Sequence, residues 1–163
     1  WITWLDSDDA LDPMYLPTVA HYTEQEPEVR LWVVGAIVHG ILKDKSGKHL
    51  VPKWTNIRKA WIPPVNSDGG HLLFNSGRVG TGVFIYHREC YEQIGPMPDW
   101  ANHNSIADGI DEWLELPPGT TGYSSKKRLV GNPFGDDHAW FSRLCQFYRA
   151  HPINVALYIH YVR

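Results

Sequence analysis

The stretch WITWLDSDDALDPMYLP, residues 1–17, sets three carboxylates, Asp6, Asp8 and Asp9, directly behind five largely apolar residues. Carboxylates this close repel one another unless a cation sits among them, and hard divalent ions take such oxygen ligands. If residues 1–5 are a strand, alternation lets Asp6 and Asp8 point one way while Ser7 and Asp9 point elsewhere. A Mg²⁺ or Mn²⁺ ion that also takes water and phosphate oxygens would relieve the repulsion, at the strand edge where open α/β sheets bind ligands. The plain alternative is a solvated acidic turn with Asp12 as a helix cap. A second pair, Asp136 and Asp137, opens the best helical pattern in the chain. A helix N-terminus favours negative charge by about 0.3–1 kcal/mol, and one carboxylate suffices for that. The other, held ionised there, could accept a proton from a substrate hydroxyl.

The elements that must position these groups follow from pattern. Residues 1–5 are rich in β-formers. Asp12 followed by Pro13 predicts a helix start, with the helix running to about Glu24. Residues 28–43 (EVRLWVVGAIVHGILK) predict a strand, and DKSGK, 44–48, the turn of a hairpin into a second one. Residues 52–78 are rich in Pro, Asn, Ser and Gly and predict irregular structure. VGTGVFIYH, 79–87, predicts a strand, and residues 88–94 a short helix stopped by Gly95 and Pro96. A long insert then runs from about residue 96 to 133 around a PPGTTG turn cluster; connections of that length commonly serve as lids or binding loops. Residues 136–150 predict a helix whose apolar face is Trp140, Phe141, Leu144, Cys145 and Tyr148. His151 and Pro152 end it, and INVALYIHYV is a closing strand. This alternation makes the fold class α/β, in one domain over residues 1–163.

With 163 residues, 43% of them hydrophobic, the chain can bury a substantial core. A net charge of −3 offers no basic face for nucleic acid. Eight Trp and eight Tyr suit stacking on sugars or nucleotides, although core filling is the first expectation for most of the Trp. Cys90 and Cys145 fit no metal or redox spacing, and Cys145 reads as a buried thiol. No apolar run approaches the roughly 20 residues of a membrane span, and no stretch reads as a signal peptide. The expectation is a cytoplasmic protein, at most peripheral at the inner membrane face. Because the chain opens inside an apparent strand and ends at Arg163 inside an apolar segment, it also reads as a fragment.

Several chemistries use aspartates at a strand mouth. An EF-hand loop counted from Asp6 would put Leu11 at its glycine position and Pro17 at its closing glutamate, so it fails. A Mg²⁺-dependent phosphatase of the haloacid-dehalogenase type also sets Asp-x-Asp behind a strand and uses a later Gly-Asp-Asp, here Gly135-Asp136-Asp137. However, Ala10 stands at its Thr or Val position, and Trp140 where an acid is wanted.

A better match covers nearly the whole chain. WLDSDDALDPMYL resembles the donor-site segment of family 2 glycosyltransferases, an apolar strand ending in Asp-x-Asp before a Pro and a helix. GTGVFIYHRECYEQIG is similar to that family's next landmark, and GDDHAWFSRLCQFYRAHPINVALYIHYVR to its acidic-pair helix and closing strand ending in Tyr-x-Arg. The resemblance implies a GT-A fold, Rossmann-like with a mixed central sheet flanked by helices, of which this chain would be the C-terminal part. It implies a metal-dependent inverting transfer of a sugar from a nucleotide-sugar donor to an acceptor hydroxyl. Asp8 and Asp6 would hold Mg²⁺ or Mn²⁺, and Asp6 and Asp9 would lie on the donor. Gly80, Thr81 and Gly82 would line the sugar pocket. Asp137 would be the general base, with Asp136 beside the acceptor. Trp100, Trp113 and Tyr123, in the insert, could stack on an acceptor glycan. His160, near the closing Tyr-x-Arg, is expected to pack or face solvent. Gln146-x-x-Arg149 matches the Gln-x-x-Arg-Trp signature of processive synthases only in part, since Ala150 replaces the Trp. A non-catalytic carbohydrate-binding module built on the Trp-rich insert is the reading outside enzymes.

Overall fold

The computed structural model describes residues 1–43, 46, 49–60, 81–96 and 136–162. They form a mixed α/β structure. The chain gathers into two compact units, one of residues 1–62, 77–88 and 150–163, the other of residues 63–76 and 89–149.

The first unit holds a six-stranded sheet: β1 (Ile2–Thr3), β2 (Ala10–Leu11), β3 (Leu31–Lys43), β4 (His49–Arg58), β5 (Phe84–Tyr86) and β6 (His151–Val162). β3 is its spine. β6 runs parallel to it from Trp32 to Gly40 along one edge. The other edge is shared, antiparallel, by β5 at Leu31–Val33 and then β4 at Ala36–Lys43. The short strands β1 and β2 close the order β1-β5-β3-β6-β2. The sequence of β3 explains its place: its first six residues are all buried, as in a strand covered on both faces, and only from Ile37 does burial alternate. Trp32 and Val33 pair with Ile85 and Phe84, and Val34 with Ile153, all of them buried. Gly35 is required where the β3–β6 register shifts, because a Cβ there would come within 2.6 Å of the Arg58 carbonyl oxygen and 3.1 Å of Ala156 Cα.

The 28–48 hairpin forms as its sequence predicts, although most of its turn lies outside the described residues. The strand goes further than expected, since residues 52–58, predicted irregular, belong to β4. Pro52 is accommodated opposite Ile41, where the register shifts. The first strand is shorter than residues 1–5. Its partner β5 gives way to a 3-10 turn at Thr81–Val83, which leaves Leu5 without a strand beside it. Of the strand predicted over 79–87, residues 79 and 80 lie outside the described residues, and the described part is the 3-10 turn followed by β5. Helix α1 (Tyr15–Gln25) starts later than Asp12–Pro13 implies. Asp12 still caps locally: its Oδ1 accepts from the Met14 N–H at 2.8 Å and its carbonyl from Tyr15 N–H.

In the second unit, helix α2 (Arg88–Ile94) ends as predicted at Gly95, whose φ of 86° and N–H bond to the Tyr91 carbonyl make a left-handed cap. Helix α3 (Asp136–Phe147) buries Trp140, Phe141, Leu144 and Cys145, the expected face. Tyr148 falls past its end, half-buried, and donates to Gln93. Trp140 Nε1–H reaches the Gly95 carbonyl at 2.8 Å. Burial pushes the Cys145 thiol up to about 12, so it is an inert packing group. Cys90 is buried as well. Trp32 and Trp140 fill core, whereas Trp1 and Trp4 stay 45% and 37% exposed. No described helix is long and apolar enough to cross a membrane.

Candidate functional site

Residues 6–9 are a β-turn: the Asp9 N–H donates to the Asp6 carbonyl at 3.1 Å, with Ser7 and Asp8 at the corner. Strand alternation therefore does not set the directions of these side chains, as the sequence pattern had implied. The turn is fastened instead by residues from the far end of the chain.

The Asp9 side chain is 0% exposed. Its Oδ2 accepts from the Tyr158 hydroxyl, and its Oδ1 from the Tyr161 N–H at 3.0 Å. His160 Nδ1 lies 2.9 Å and 3.1 Å from the two oxygens. A buried carboxylate needs such partners, since an unpaired one costs several kcal/mol. The contact arises because β2 pairs antiparallel with β6, Ala10 opposite Ile159 and Leu11 opposite Tyr158, which brings Asp9 beside residues 158–161. Whatever Asp9 gives to ligand binding thus passes through the turn it anchors, because its oxygens face protein donors.

Tyr158 joins both ends of the turn, with its hydroxyl on the Asp9 carboxylate and a backbone hydrogen bond at Asp6. Burial, then the hydrogen bond to Asp9 and the charges of Asp9 and Asp6, hold this phenol far above the usual tyrosine range. Beneath it lies Gly82. A Cβ there would fall 1.9 Å from Tyr158 Cε2, so the room expected to admit a sugar is filled by this ring. The Thr3 hydroxyl donates to the Phe84 carbonyl at 3.0 Å and lies 2.9 Å from the Tyr15 hydroxyl, whose oxygen is 3.4 Å from the Gly82 carbonyl. Burial pushes Tyr15 up to about 12, against a smaller opposing pull from Thr3. Thr3, Tyr15 and Gly82 thus lie in contact with one another, and Gly82 packs under the Tyr158 ring that holds the acidic turn.

Of the residues expected in the site, Asp6, Asp8, Asp9 and Gly82 come together in the first unit, with Asp6 exposed and Asp8 half-buried. Thr81 opens the 3-10 turn. Asp136 and Asp137 begin α3 in the second unit, as the helix pattern requires, and their side chains lie outside the described residues. Gly80, Trp100, Trp113 and Tyr123 also lie outside them. Tyr158, His160, Tyr15 and Thr3 were not singled out by sequence as parts of a site; His160 is partly exposed, as expected, and in addition bonds the turn through Asp9.

Asp6 and Asp8 bring carboxylate oxygens to one hydrogen-bonded turn, the ligand type that suits an ion completing its shell with water and phosphate oxygens, as Mg²⁺ does. Among the described residues no group of three or more His, Cys, Asp or Glu gathers into an all-protein cage. Comparison with family models, with curated proteins and with solved structures finds nothing that matches this chain.

Proposed function

We propose that the chain is the C-terminal part of a GT-A-fold glycosyltransferase that moves a sugar from a nucleotide-sugar donor to an acceptor hydroxyl with inversion. The observation that carries the reading is the fastened acidic turn. A short tip bearing Asp6 and Asp8 is closed by its own hydrogen bond and clasped at both ends by Tyr158. The ordered sequence landmarks support it.

In this reading Asp8 and Asp6 hold Mg²⁺ or Mn²⁺. Bound there, the ion would supply positive charge against the diphosphate. Tyr158 and Asp9 keep the tip from rearranging, which lowers the cost of ordering it around a ligand. Asp137, at the start of α3, takes the proton from the acceptor hydroxyl as it attacks the anomeric carbon, and Asp136 lies beside the acceptor. Trp100, Trp113 and Tyr123 stack on the acceptor.

The test separates the two acidic groups. Asp8→Ala should abolish Mn²⁺-stimulated binding of nucleoside diphosphates, followed by calorimetry. Asp137→Asn should keep that binding and lower sugar transfer by roughly 10²- to 10⁴-fold, the usual worth of a general base. Full transfer by Asp137→Asn would remove the base assignment. Phosphate release from phosphomonoesters without sugar transfer would favour the phosphatase. Metal-independent glycan binding, indifferent to Asp137→Asn, would favour the binding module.

A further inference from the structure

We propose that the hairpin of β3 and β4 is a basic arm that docks the chain on an anionic membrane surface. The overall charge of −3 hides how charge is distributed along the sequence. Residues 43–59 (KDKSGKHLVPKWTNIRK) hold six of the chain's 15 Lys and Arg and only one of its 18 Asp and Glu, so this segment carries +5 and the remainder −8. The cations are Lys43, Lys45, Lys48, Lys53, Arg58 and Lys59. A lysine or two suffices to guard an edge strand against pairing with other chains, and six exceed that need. Clusters of about four to eight Lys and Arg are what anionic headgroups attract.

The sheet extends this segment beyond its other strands. β6 pairs with β3 as far as Gly40, opposite Val162, and β5 pairs with it only at Leu31–Val33. From Ile41 to Lys43 the one described partner of β3 is β4, joined at Pro52, Val51 and His49. At about 3.3 Å per residue, those three residues carry the turn roughly 10 Å past the last pairing with β6. That is about one Debye length at 0.1 M salt. The separation matters because the acidic turn lies at the same end of the sheet: Asp9 bonds His160 and the Tyr161 N–H, which pair with Val38 and His39. The arm thus reaches an anionic surface while those carboxylates stay screened from it. Thr55, Asn56, Arg58 and Lys59 are exposed, and Ile57 among them is 70% exposed. Two features select lipid over nucleic acid. Five of the six cations are Lys, compact point charges that suit mobile headgroups, whereas base readout favours the planar fork of Arg. An exposed aliphatic side chain among cations gains from the acyl boundary of a membrane and little from a phosphate backbone. The inference does not rest on the glycosyl-transfer reading.

Sedimentation of the full chain with lipid vesicles tests it. The unchanged chain should bind vesicles of phosphatidylcholine containing about one third phosphatidylserine and ignore pure phosphatidylcholine. It should come off as salt rises to about 0.5 M, where the Debye length shrinks to about 4 Å. Lys45→Gln combined with Lys48→Gln should lower the partition coefficient roughly 25-fold, about fivefold per cation removed. Lys126→Gln combined with Lys127→Gln, the same loss of charge outside the hairpin, should leave it nearly unchanged. Equal binding to both kinds of vesicle overturns the inference, as does binding to neither. Undiminished binding by the hairpin variant also overturns it, and so does an equal loss in the two double variants, which would mark diffuse attraction rather than an arm. Displacement from the anionic vesicles by a DNA duplex or an RNA hairpin at equal phosphate concentration reassigns the arm to nucleic acid and overturns the inference as well.

Discussion

Gly82→Ala is expected to destabilise the chain by about 3 kcal/mol or more. The added methyl would lie 1.9, 2.3 and 2.7 Å from three atoms of the Tyr158 ring, far inside contact distance. The ring cannot simply swing away, because it is fully buried in the central part of β6 and its hydroxyl is tied to Asp9 and Asp6. Overpacking a core typically costs about 1–3 kcal/mol. Moving the ring would also take a donor from a buried carboxylate, which adds about 1–3 kcal/mol. Urea denaturation measures the loss. The contact itself is tested by pairing the substitution with Tyr158→Ala, which empties the space the methyl needs. The double variant should be more stable than the sum of the single losses by at least about 1 kcal/mol. Strict additivity would show that Gly82 and Tyr158 do not meet.

How far the sequence discloses this network can be judged residue by residue. The hairpin of β3 and β4, the Gly95 cap of α2 and the apolar face of α3 are local matters, written in β-branched runs, turn residues and helical spacing. The acidic turn was legible as a place but not as a shape: an apolar run before Asp6 reads as a strand, yet the length of β1 is set by β5, more than eighty residues away. Asp9 shows the limit most sharply. Its partners Tyr158 and His160 are 149 and 151 residues distant, joined to it only through the pairing of β2 with β6. The one available signal was the Tyr-x-His spacing, which puts both side chains on a single face of β6. Nothing in one sequence says what lies against that face.

The same network should make the protein sensitive to alkali. Stability should fall by about 4 kcal/mol between pH 10 and pH 12 through Tyr15 and Tyr158 alone. Both phenols are buried, 1% and 0% exposed, and burial is the leading cause that raises each of them. A group raised in the folded state gives a contribution that is complete below its unfolded pKa, about 10 for tyrosine, and is lost as pH climbs toward the folded value. Above pH 10 the unfolded chain releases protons that the folded chain retains, so each phenol tilts the balance by about 1.4 kcal/mol per pH unit. For Tyr15, at about 12, the loss runs over roughly two units; for Tyr158, raised further, it continues beyond them. Denaturant titrations from pH 8 to pH 12 measure it. The informative quantity is the slope, since Tyr158→Phe also deprives Asp9 of a donor and lowers stability at every pH. The variant should start lower at pH 8 and then fall less steeply above pH 10, by about 1.4 kcal/mol per unit. Parallel curves for the variant and the unchanged chain would mean that Tyr158 ionises as freely folded as unfolded. A phenol fully buried against the carboxylate of Asp9 could not do that, and the anchor of the acidic turn would have to be abandoned.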